Sequence, residues 1–462
     1  MLSGCILGSE KPELAVEIPA AYRNGGRAPD AALPSLEWWR GFRSRELTAL
    51  IEDAQVANFD IAAAVARIVQ ADAQARVAGS ALLPVVDLNA DATRTRASQA
   101  TGSSSSGGSS ERVTYTGSLS ASFEIDFWGK NRASLRAAEE SAAASRFARE
   151  VVDLSTTASV ASAYFQVLAA QDRLRVARNN ESSASRILGL FQQRLQAGTA
   201  SSLDIAQQES VVGTQRAAIP LLEQTLRQNT NTLAVLLGRP PEFFSVRGGG
   251  MSQLTVPRVT PGLPSDVLTQ RPDIRQAEAL LAAANGDVEA ARAAFLPSIN
   301  LTGEGGYRSN ALKALFQPEA AFYSLAAGLT QPIFDGARLQ GDLDLQRGRQ
   351  EELLQLYRKA IVSAFADVEN ALIAVQQSAR RERLQGDVVA SSRRAFEISE
   401  TRLREGTIDL VTSLNAQQTL FQAEDNLAQA RLAHLQAVLS LYQALGGSWV
   451  ARPKVVTANE PL

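Results

Sequence analysis

The chain contains the pattern Arg-Leu-x-x-Gly-Thr twice, at Arg194–Thr199 and again at Arg402–Thr407. The spacing between the two copies is kept as far as the Leu-Gly pairs that begin at Leu237 and Leu445. A match that continues without a gap over this length indicates an internal duplication. The period is far longer than the roughly 20–50 residues of a solenoid repeat, so it predicts one domain that was duplicated once.

A second pair of matching segments supports the duplication. Ala81-Leu82-Leu83-Pro84 corresponds to Ala294-Phe295-Leu296-Pro297 in the second half. Each half is therefore predicted to run helix, strand, strand, long helix, tight turn and helix. The predicted divisions are an N-terminal extended segment at 1–37, the first repeat at 38–238, a linker at 239–264, the second repeat at 265–446 and a tail at 447–462.

Apolar residues at three- and four-residue steps predict helices on both sides of the strands. One helical region is predicted from Trp38 to Ala78 and another from Leu268 to Ala293. Two longer helices are predicted to follow Gly129 and Gly336 and to end at the repeated pattern. At 1.5 Å per residue each could reach ~100 Å. Their coiled-coil-like spacing predicts arms that pack against one another.

Strict alternation of apolar and polar residues predicts four strands, as where Val113 and Tyr115 alternate with Thr114 and Thr116. The predicted strands lie at about 83–96, 112–128, 295–308 and 320–334. Between the first two lies the Ser- and Gly-rich stretch 101–110, which is predicted to be a flexible loop.

This alternation fits either a soluble sheet with one wet face or a membrane barrel with polar residues toward a lumen. The strand length and the aromatic pair Phe127-Trp128 near one strand end favour the barrel. Four strands cannot close a barrel, since about eight are needed to fill even a packed interior. A membrane barrel would therefore have to be shared by several chains.

Composition argues against several function classes. The chain has 46 Lys and Arg against 48 Asp and Glu, so a net charge of −2 offers no broad basic surface for nucleic acid. One cysteine, Cys5, and one histidine, His434, exclude an internal disulfide and a cysteine or histidine cluster for a metal. No nucleophile–base pair is evident. We expect no enzyme activity, no cofactor and no metal, and a packing or surface role for His434.

The first residues include Leu2-Ser3-Gly4-Cys5, which matches the box at which bacterial lipoprotein signals are cut and the cysteine acylated. The charged and apolar regions that should precede such a box are missing. Two hypotheses stay open, a lipid anchor at Cys5 or a plain N-terminal coil. The lipid anchor is favoured, because small polar residues lie beside the only cysteine.

From about Trp38 to Trp449 the chain resembles the TolC/OprM-type outer-membrane factors, the exit ducts of tripartite efflux pumps in Gram-negative bacteria. The segments that carry the resemblance are Ala197-Gly198-Thr199 with Leu203-Asp204, Leu263-Pro264-Ser265-Asp266, Arg271-Pro272-Asp273-Ile274, Ala291-Arg292-Ala293-Ala294-Phe295-Leu296-Pro297-Ser298-Ile299, Leu414-Asn415-Ala416-Gln417, and Tyr442-Gln443-Ala444-Leu445-Gly446-Gly447-Ser448-Trp449.

The resemblance implies an α+β membrane protein, a homotrimer with a 12-stranded outer-membrane β-barrel to which each chain gives four strands. The barrel would continue into a long periplasmic coiled-coil tunnel, with Cys5 lipidated in the inner leaflet of the outer membrane. The implied partners are outer-membrane lipids, a periplasmic adaptor protein and an inner-membrane transporter of the RND type. The implied function is passive export of drugs or other small molecules.

The resemblance also implies a gate at the periplasmic end, held by charged and polar side chains beside the helix turns. The gate candidates by position are Arg194, Asp204, Arg402, Glu405, Asp409 and Asn415. The turn residues expected to meet the adaptor are Ala197, Gly198, Thr199, Gly406 and Thr407. The family usually has aspartate where this chain has Asn415, and commonly an aromatic residue where it has Leu403.

Other readings of these residues stay open. The glycines of both turns suit a left-handed helix C-cap, the arginines could be solvated cations near helix C-termini, and Asp204 could stabilise a helix N-terminus. Alternative functions are metal efflux, type I protein secretion, or a trimeric surface adhesin that transports nothing.

Overall fold

The computed structural model describes residues 16–24, 37–96, 111–259, 262 and 264–447. Cys5, the Ser- and Gly-rich loop at 101–110 and the tail beyond Gly447 lie outside these residues. Among the described helices, none combines the length and the apolar character that a membrane-spanning helix requires.

Eight helices and four strands make up the repeated architecture of the described chain. The first half contains α1 (Arg45–Ala57), α2 (Phe59–Ser80), β1 (Val85–Arg96), β2 (Glu111–Ile125), α3 (Lys130–Gln196) and α4 (Ser202–Leu236). The second half contains α5 (Pro264–Gln270), α6 (Pro272–Ala293), β3 (Ser298–Ser309), β4 (Ala321–Thr330), α7 (Arg338–Arg404) and α8 (Leu410–Ala444). The long helices α3 and α7 each have 67 residues, and α4 and α8 each have 35.

The helical region predicted from Trp38 to Ala78 is divided into three helices. Trp38–Phe42 form a short 3₁₀ helix, and Asn58 separates α1 from α2. The Asn58 Oδ1 accepts hydrogen bonds from the backbone N–H groups of Asp60 at 2.8 Å and Ile61 at 3.1 Å. Asn58 therefore caps a new helix, a local effect that the apolar spacing does not reveal.

The four strands form one antiparallel sheet in the order β1-β2-β3-β4. Its register aligns Leu88 with Leu119, and Phe123 with Leu301. These side chains share one face, because alternate residues of a strand point to opposite sides. The other face carries the polar set, including Thr116 and Ser118, which are buried. The sheet thus has an apolar face and a polar face.

Contacts divide the chain into two compact units. We call the described residues of Arg67–Arg146 and Gln276–Arg358 the strand unit. We call the described residues of Val16–Ala66, Phe147–Arg275 and Lys359–Leu462 the helical unit. The strand unit contains the whole sheet and a small apolar cluster of α6 and α7 residues, and the helical unit contains both copies of the repeated turn.

One apolar core of the helical unit contains several aromatic side chains. The rings of Trp38 and Tyr442 stack with their centroids 4.9 Å apart, and Phe42 lies 5.0 Å from Phe165. Phe42 and Phe165 are fully buried. This core joins the short helix before α1 to α3 and α8, and it fixes those three elements relative to one another within the unit.

Candidate functional site: the two helix turns

The repeated pattern forms the same C-terminal helix cap in both halves. We call residues 197–201 the first turn and residues 405–409 the second turn. In the first turn, the N–H of Thr199 donates to the carbonyl of Arg194 at 2.9 Å and the N–H of Gly198 to that of Leu195 at 3.0 Å. The second turn repeats both bonds, from Thr407 to Arg402 at 2.9 Å and from Gly406 to Leu403 at 3.2 Å. This arrangement is a Schellman motif.

The spacing that the two copies of the pattern share follows from this cap. Gly198 has φ +71° and Gly406 has φ +73°, the left-handed conformation that favours glycine. The hydroxyls of Thr199 and Thr407 each donate a further bond of 3.1 Å to the same arginine carbonyl. The predicted left-handed C-caps are therefore confirmed, and the glycine and threonine of the pattern have a structural role in ending the helix.

The helix after the first turn begins with a capping box. The Ser201 Oγ accepts a hydrogen bond from the Asp204 N–H at 3.2 Å, and the Asp204 Oδ2 accepts one from the Ser201 N–H at 2.8 Å. The Ser201 hydroxyl also donates to the same carboxylate oxygen at 2.9 Å. The Asp204 carboxylate is thus engaged at the start of its own helix.

The helix after the second turn begins with a simpler cap. The Asp409 Oδ1 accepts a hydrogen bond of 2.7 Å from the Thr412 N–H. Hydrogen bonds from Thr412 hold the pKa of Asp409 below its usual range. Asp409 occupies the same place in the second turn as Ser201 in the first, so the two caps differ although the turns match in backbone.

The arginine of the first pattern bridges two helices. The Arg194 Nη2 donates to the carbonyls of Leu403 at 2.8 Å and Arg404 at 2.9 Å, the last residues of α7. A positive charge at a helix C-terminus interacts favourably with the helix dipole and satisfies carbonyls that have no partner within the helix. Arg194 therefore connects the end of α3 to the end of α7.

An ion-pair network lies beside this contact. The carboxylate of Glu400 on α7 pairs with Arg186 on α3 and with Arg404 at 2.6 Å. Burial by itself would raise the pKa of Glu400, but hydrogen bonds from Arg186 and Arg404 hold it below its usual range. The Glu400 side chain is only 14% exposed, whereas both arginines are about half exposed.

A cavity of about 350 Å³ lies between α3 and α7 next to the first turn. Its apolar wall is formed by Ile187, Leu190, Phe191 and Leu403, and its polar rim includes Arg194. Leu403, which stands where the resembled family commonly has an aromatic residue, is buried here.

The side chains of the remaining gate candidates do not take part in these contacts. Arg402, Glu405 and Asn415 are exposed. Within the part of the chain that the structure describes, their side chains form no hydrogen bond or ion pair. The two pattern arginines thus have different surroundings, since Arg194 is half-buried against α7 and Arg402 faces solvent.

Sequence reasoning missed Arg186, Glu400 and Phe191. Arg186 and Glu400 pair between α3 and α7, and no local spacing signals such a contact. For this pair the only signal available was the match between the two halves, which aligns the ends of α3 and α7 but gives no pairing between them. Phe191 lies on the same helix as Arg194, whose guanidinium is 5.9 Å from the centre of its ring, at a spacing of three residues that could have signalled the contact. His434, expected to pack or lie at the surface, has its Nδ1 2.6 Å from the Glu382 carboxylate and is 13% exposed.

Comparison with known proteins identifies the family. The sequence model of the family described as "Outer membrane efflux protein" matches residues 50–239 and 263–447. The pyoverdine export outer membrane protein OpmQ of Pseudomonas putida is 42% identical over 443 residues, which cover 95% of this chain and 94% of that protein. The toluene efflux pump outer membrane protein TtgC of Pseudomonas putida is 30% identical, with 97% and 94% covered.

Solved structures give the same answer. The outer-membrane channel OprN superimposes with a TM-score of 0.90 at 25% identity, covering 96% of this chain and all of that one. The open-state MtrE outer membrane channel of Neisseria gonorrhoeae gives 0.85 at 29% identity, with 95% and 97% covered. These likenesses confirm the predicted fold of long helices joined to a four-stranded membrane sheet and the predicted place in the outer membrane. The chain is a member of the outer membrane efflux protein family.

Proposed function

We propose that this chain forms the exit duct of a tripartite efflux pump as a homotrimer, with three four-stranded sheets closing one 12-stranded barrel. The sheet is the observation that carries this proposal. It has an apolar face and a polar face, and four strands are about half the number needed to close even a packed barrel. Three copies remove every free edge and turn the polar faces toward a common lumen.

In this proposal the duct is passive and has no catalytic role. An inner-membrane transporter of the RND type would supply energy, and a periplasmic adaptor would dock at the two turns. Each turn ends its helix in a tight cap, and residues 197–199 and 405–407 are exposed. Such turns suit a partner that recognises them by their shape and their hydrogen-bonding groups.

The gate is proposed to divide its tasks between the two turns. Arg194 fixes α3 to α7 within one subunit through the carbonyls of Leu403 and Arg404. Arg402, Glu405 and Asn415 are left exposed and could pair with a neighbouring subunit, where Asp409 adds a negative charge. Exposed pairs of this kind contribute only ~0–1 kcal/mol each, which suits contacts that docking must break.

The gate is tested by entry of a large antibiotic. In a strain that lacks this protein, the chain carrying Arg402→Ala and Asn415→Ala should sensitise cells to vancomycin relative to wild type. Arg394→Ala is the matched control, because Arg394 is an exposed α7 arginine whose side chain, within the residues that the structure describes, hydrogen-bonds only to Ser391 of the same helix. Equal vancomycin sensitivity in all three strains would refute the gate assignment.

The cargo is proposed to be small molecules. The relatives named for pyoverdine export are 42% and 39% identical to this chain, whereas those named for toluene, solvent or antibiotic efflux are 29–31% identical. Pyoverdine export is therefore a second candidate beside multidrug efflux. Expression in Pseudomonas putida lacking OpmQ separates the two candidates. Restored pyoverdine in the medium supports pyoverdine export, and restored drug resistance without pyoverdine supports multidrug efflux.

A further inference from the structure

The polar face of the sheet carries its charges at distinct depths. The register places Asp87 opposite Ser120, Ser120 opposite Glu304, and Glu304 opposite Ser324. These four residues form one row across all four strands, and we call it the acidic row. It contains two carboxylates and no basic side chain.

The two carboxylates of the acidic row are separate rather than clustered. One strand lies between them, so their Cα atoms are about 10 Å apart. Glu304 accepts a hydrogen bond of 2.8 Å from the Ser118 hydroxyl. Within the described residues, neither Asp87 nor Glu304 forms an ion pair, so both charges act on the space in front of the polar face.

The charge changes toward the end of the sheet that lies away from the helices. The next charged row, about 13 Å further along β2, aligns Asp91, Thr116 and Arg308 and has no net charge. The Arg308 guanidinium lies 4.6 Å from the centre of the Phe322 ring, which keeps it on this face. About 13 Å beyond, Arg112 lies opposite Thr95 and adds a positive charge.

The opposite face of the same sheet end also carries arginines. Arg94 and Arg96 alternate with the polar set and therefore lie on the apolar face with Leu88. Arg94 pairs with Glu111 at 2.8 Å. Arg94 and Arg96 thus lie at the depth of Arg112 but on the opposite face, which makes them a control for the arginines of the polar face.

We propose that the strand-lined part of the duct has a bipolar lumen, in which Asp87 and Glu304 favour cations and Arg112 opposes them at the outer end. Between these two levels Arg308 neutralises Asp91. The inference rests on the proposed trimer, which brings six acidic-row carboxylates to one level. A ring of fixed charge in a low-dielectric wall concentrates counter-ions and repels ions of its own sign. The two groups therefore set ion preference in opposite directions.

The profile predicts how charged cargo leaves the duct. Cationic solutes are drawn into the acidic level and are then repelled at the outer end, which favours their release. Anionic solutes meet a barrier at the acidic level and an attractive outer end. Asp87, Glu304, Arg112 and Arg308 are thereby specificity-determining residues of the exit, and none of them belongs to the gate.

Reversal potentials in planar bilayers under a KCl gradient test this directly. We expect Asp87→Asn with Glu304→Gln to lower the K⁺/Cl⁻ permeability ratio about two-fold, and Arg112→Gln with Arg308→Gln to raise it by a similar factor. The carboxylate changes keep the side-chain size nearly constant, and the arginine changes shorten the side chain equally in the lumen variant and in the apolar-face control. Arg94→Gln with Arg96→Gln, on the apolar face, should leave the ratio within error of wild type.

The outcomes separate this inference from the proposed duct. Channels whose permeability ratio moves in opposite directions in the two lumen variants support the bipolar lumen. Channels whose ratio stays unchanged in both, or shifts equally in the apolar-face control, overturn it while leaving the duct intact. Absence of channels in the wild-type protein overturns both.

Discussion

The two helix turns share one backbone cap but differ in what their arginines contact. Both patterns use the arginine carbonyl, the glycine and the threonine in the same hydrogen bonds. The Arg194 guanidinium additionally binds the end of α7, whereas the Arg402 side chain faces solvent. The duplicated motif thus predicts a shared local backbone structure. The exposed Arg402 side chain is available for a different role.

The largest expected difference between the turns lies in the stability of the α7 end. Arg194→Ala removes a charged donor from two carbonyls, so the free energy of opening the last turn of α7 should fall by about 1–2 kcal/mol. Arg402→Ala should change it by less than about 0.5 kcal/mol. Hydrogen–deuterium exchange of residues 396–406 measures both. Equal protection in the two variants would mean that the Arg194 contact does not stabilise this end.

The two glycines should instead behave alike. Gly198→Ala and Gly406→Ala each force a side chain into the left-handed region at a cost of about 1 kcal/mol. Open space surrounds both positions, so no steric contact distinguishes them. Thermal unfolding of each variant measures the cost. A cost confined to one turn would show that the caps are not energetically equivalent.

The capping box should give a smaller effect that is confined to the first turn. Ser201→Ala removes a side-chain cap of α4, which should cost about 0.5–1 kcal/mol at this exposed site. Ser202→Ala, one residue later and also exposed, is the matched control. Exchange rates of the first amides of α4 report the difference. Unchanged exchange rates in Ser201→Ala would mean that the Ser201 side chain does not stabilise the start of α4.

The smallest expected effect is the response of the contact between α3 and α7 to acidic pH. The pKa of Glu400 is lower in the folded chain than its ordinary value. Its ion pairs therefore stabilise the fold at pH values above the ordinary pKa, and this stabilisation is lost as the pH falls through the folded pKa. Loosening of the contact between α3 and α7 below about pH 4.5 should therefore be weaker in Glu400→Gln. Exchange measurements across this pH range test it, with Glu397→Gln on the exposed side of α7 as control.

Local patterns predicted the features that depend on local structure. Alternation predicted the strands and the face of each residue, and glycine in the repeated pattern predicted the left-handed caps. The contact between Arg194 and α7 joins residues more than 200 positions apart, so only packing of the two helices creates it. Asn58 shows the converse, because one capping side chain divides a helix that periodic apolar residues alone would make continuous.

The gate candidates illustrate the same limit. The resemblance and the position beside the turns selected Arg194, Asp204 and Arg402 together, and the duplication makes the two arginines equivalent in sequence. The fold separates them, because Asp204 caps α4, Arg194 binds α7 and Arg402 remains exposed. Assigning a gate role to any of them requires knowing which side chains are left unsatisfied within the subunit.

Single-channel recording of the purified protein in planar bilayers tests the central claim most directly. Wild-type protein should produce discrete conductance steps, and Arg402→Ala should raise the mean conductance by weakening the contacts proposed to hold the tips together. Failure of both proteins to conduct, although they are folded and inserted, would contradict the assignment of this chain as a gated export duct.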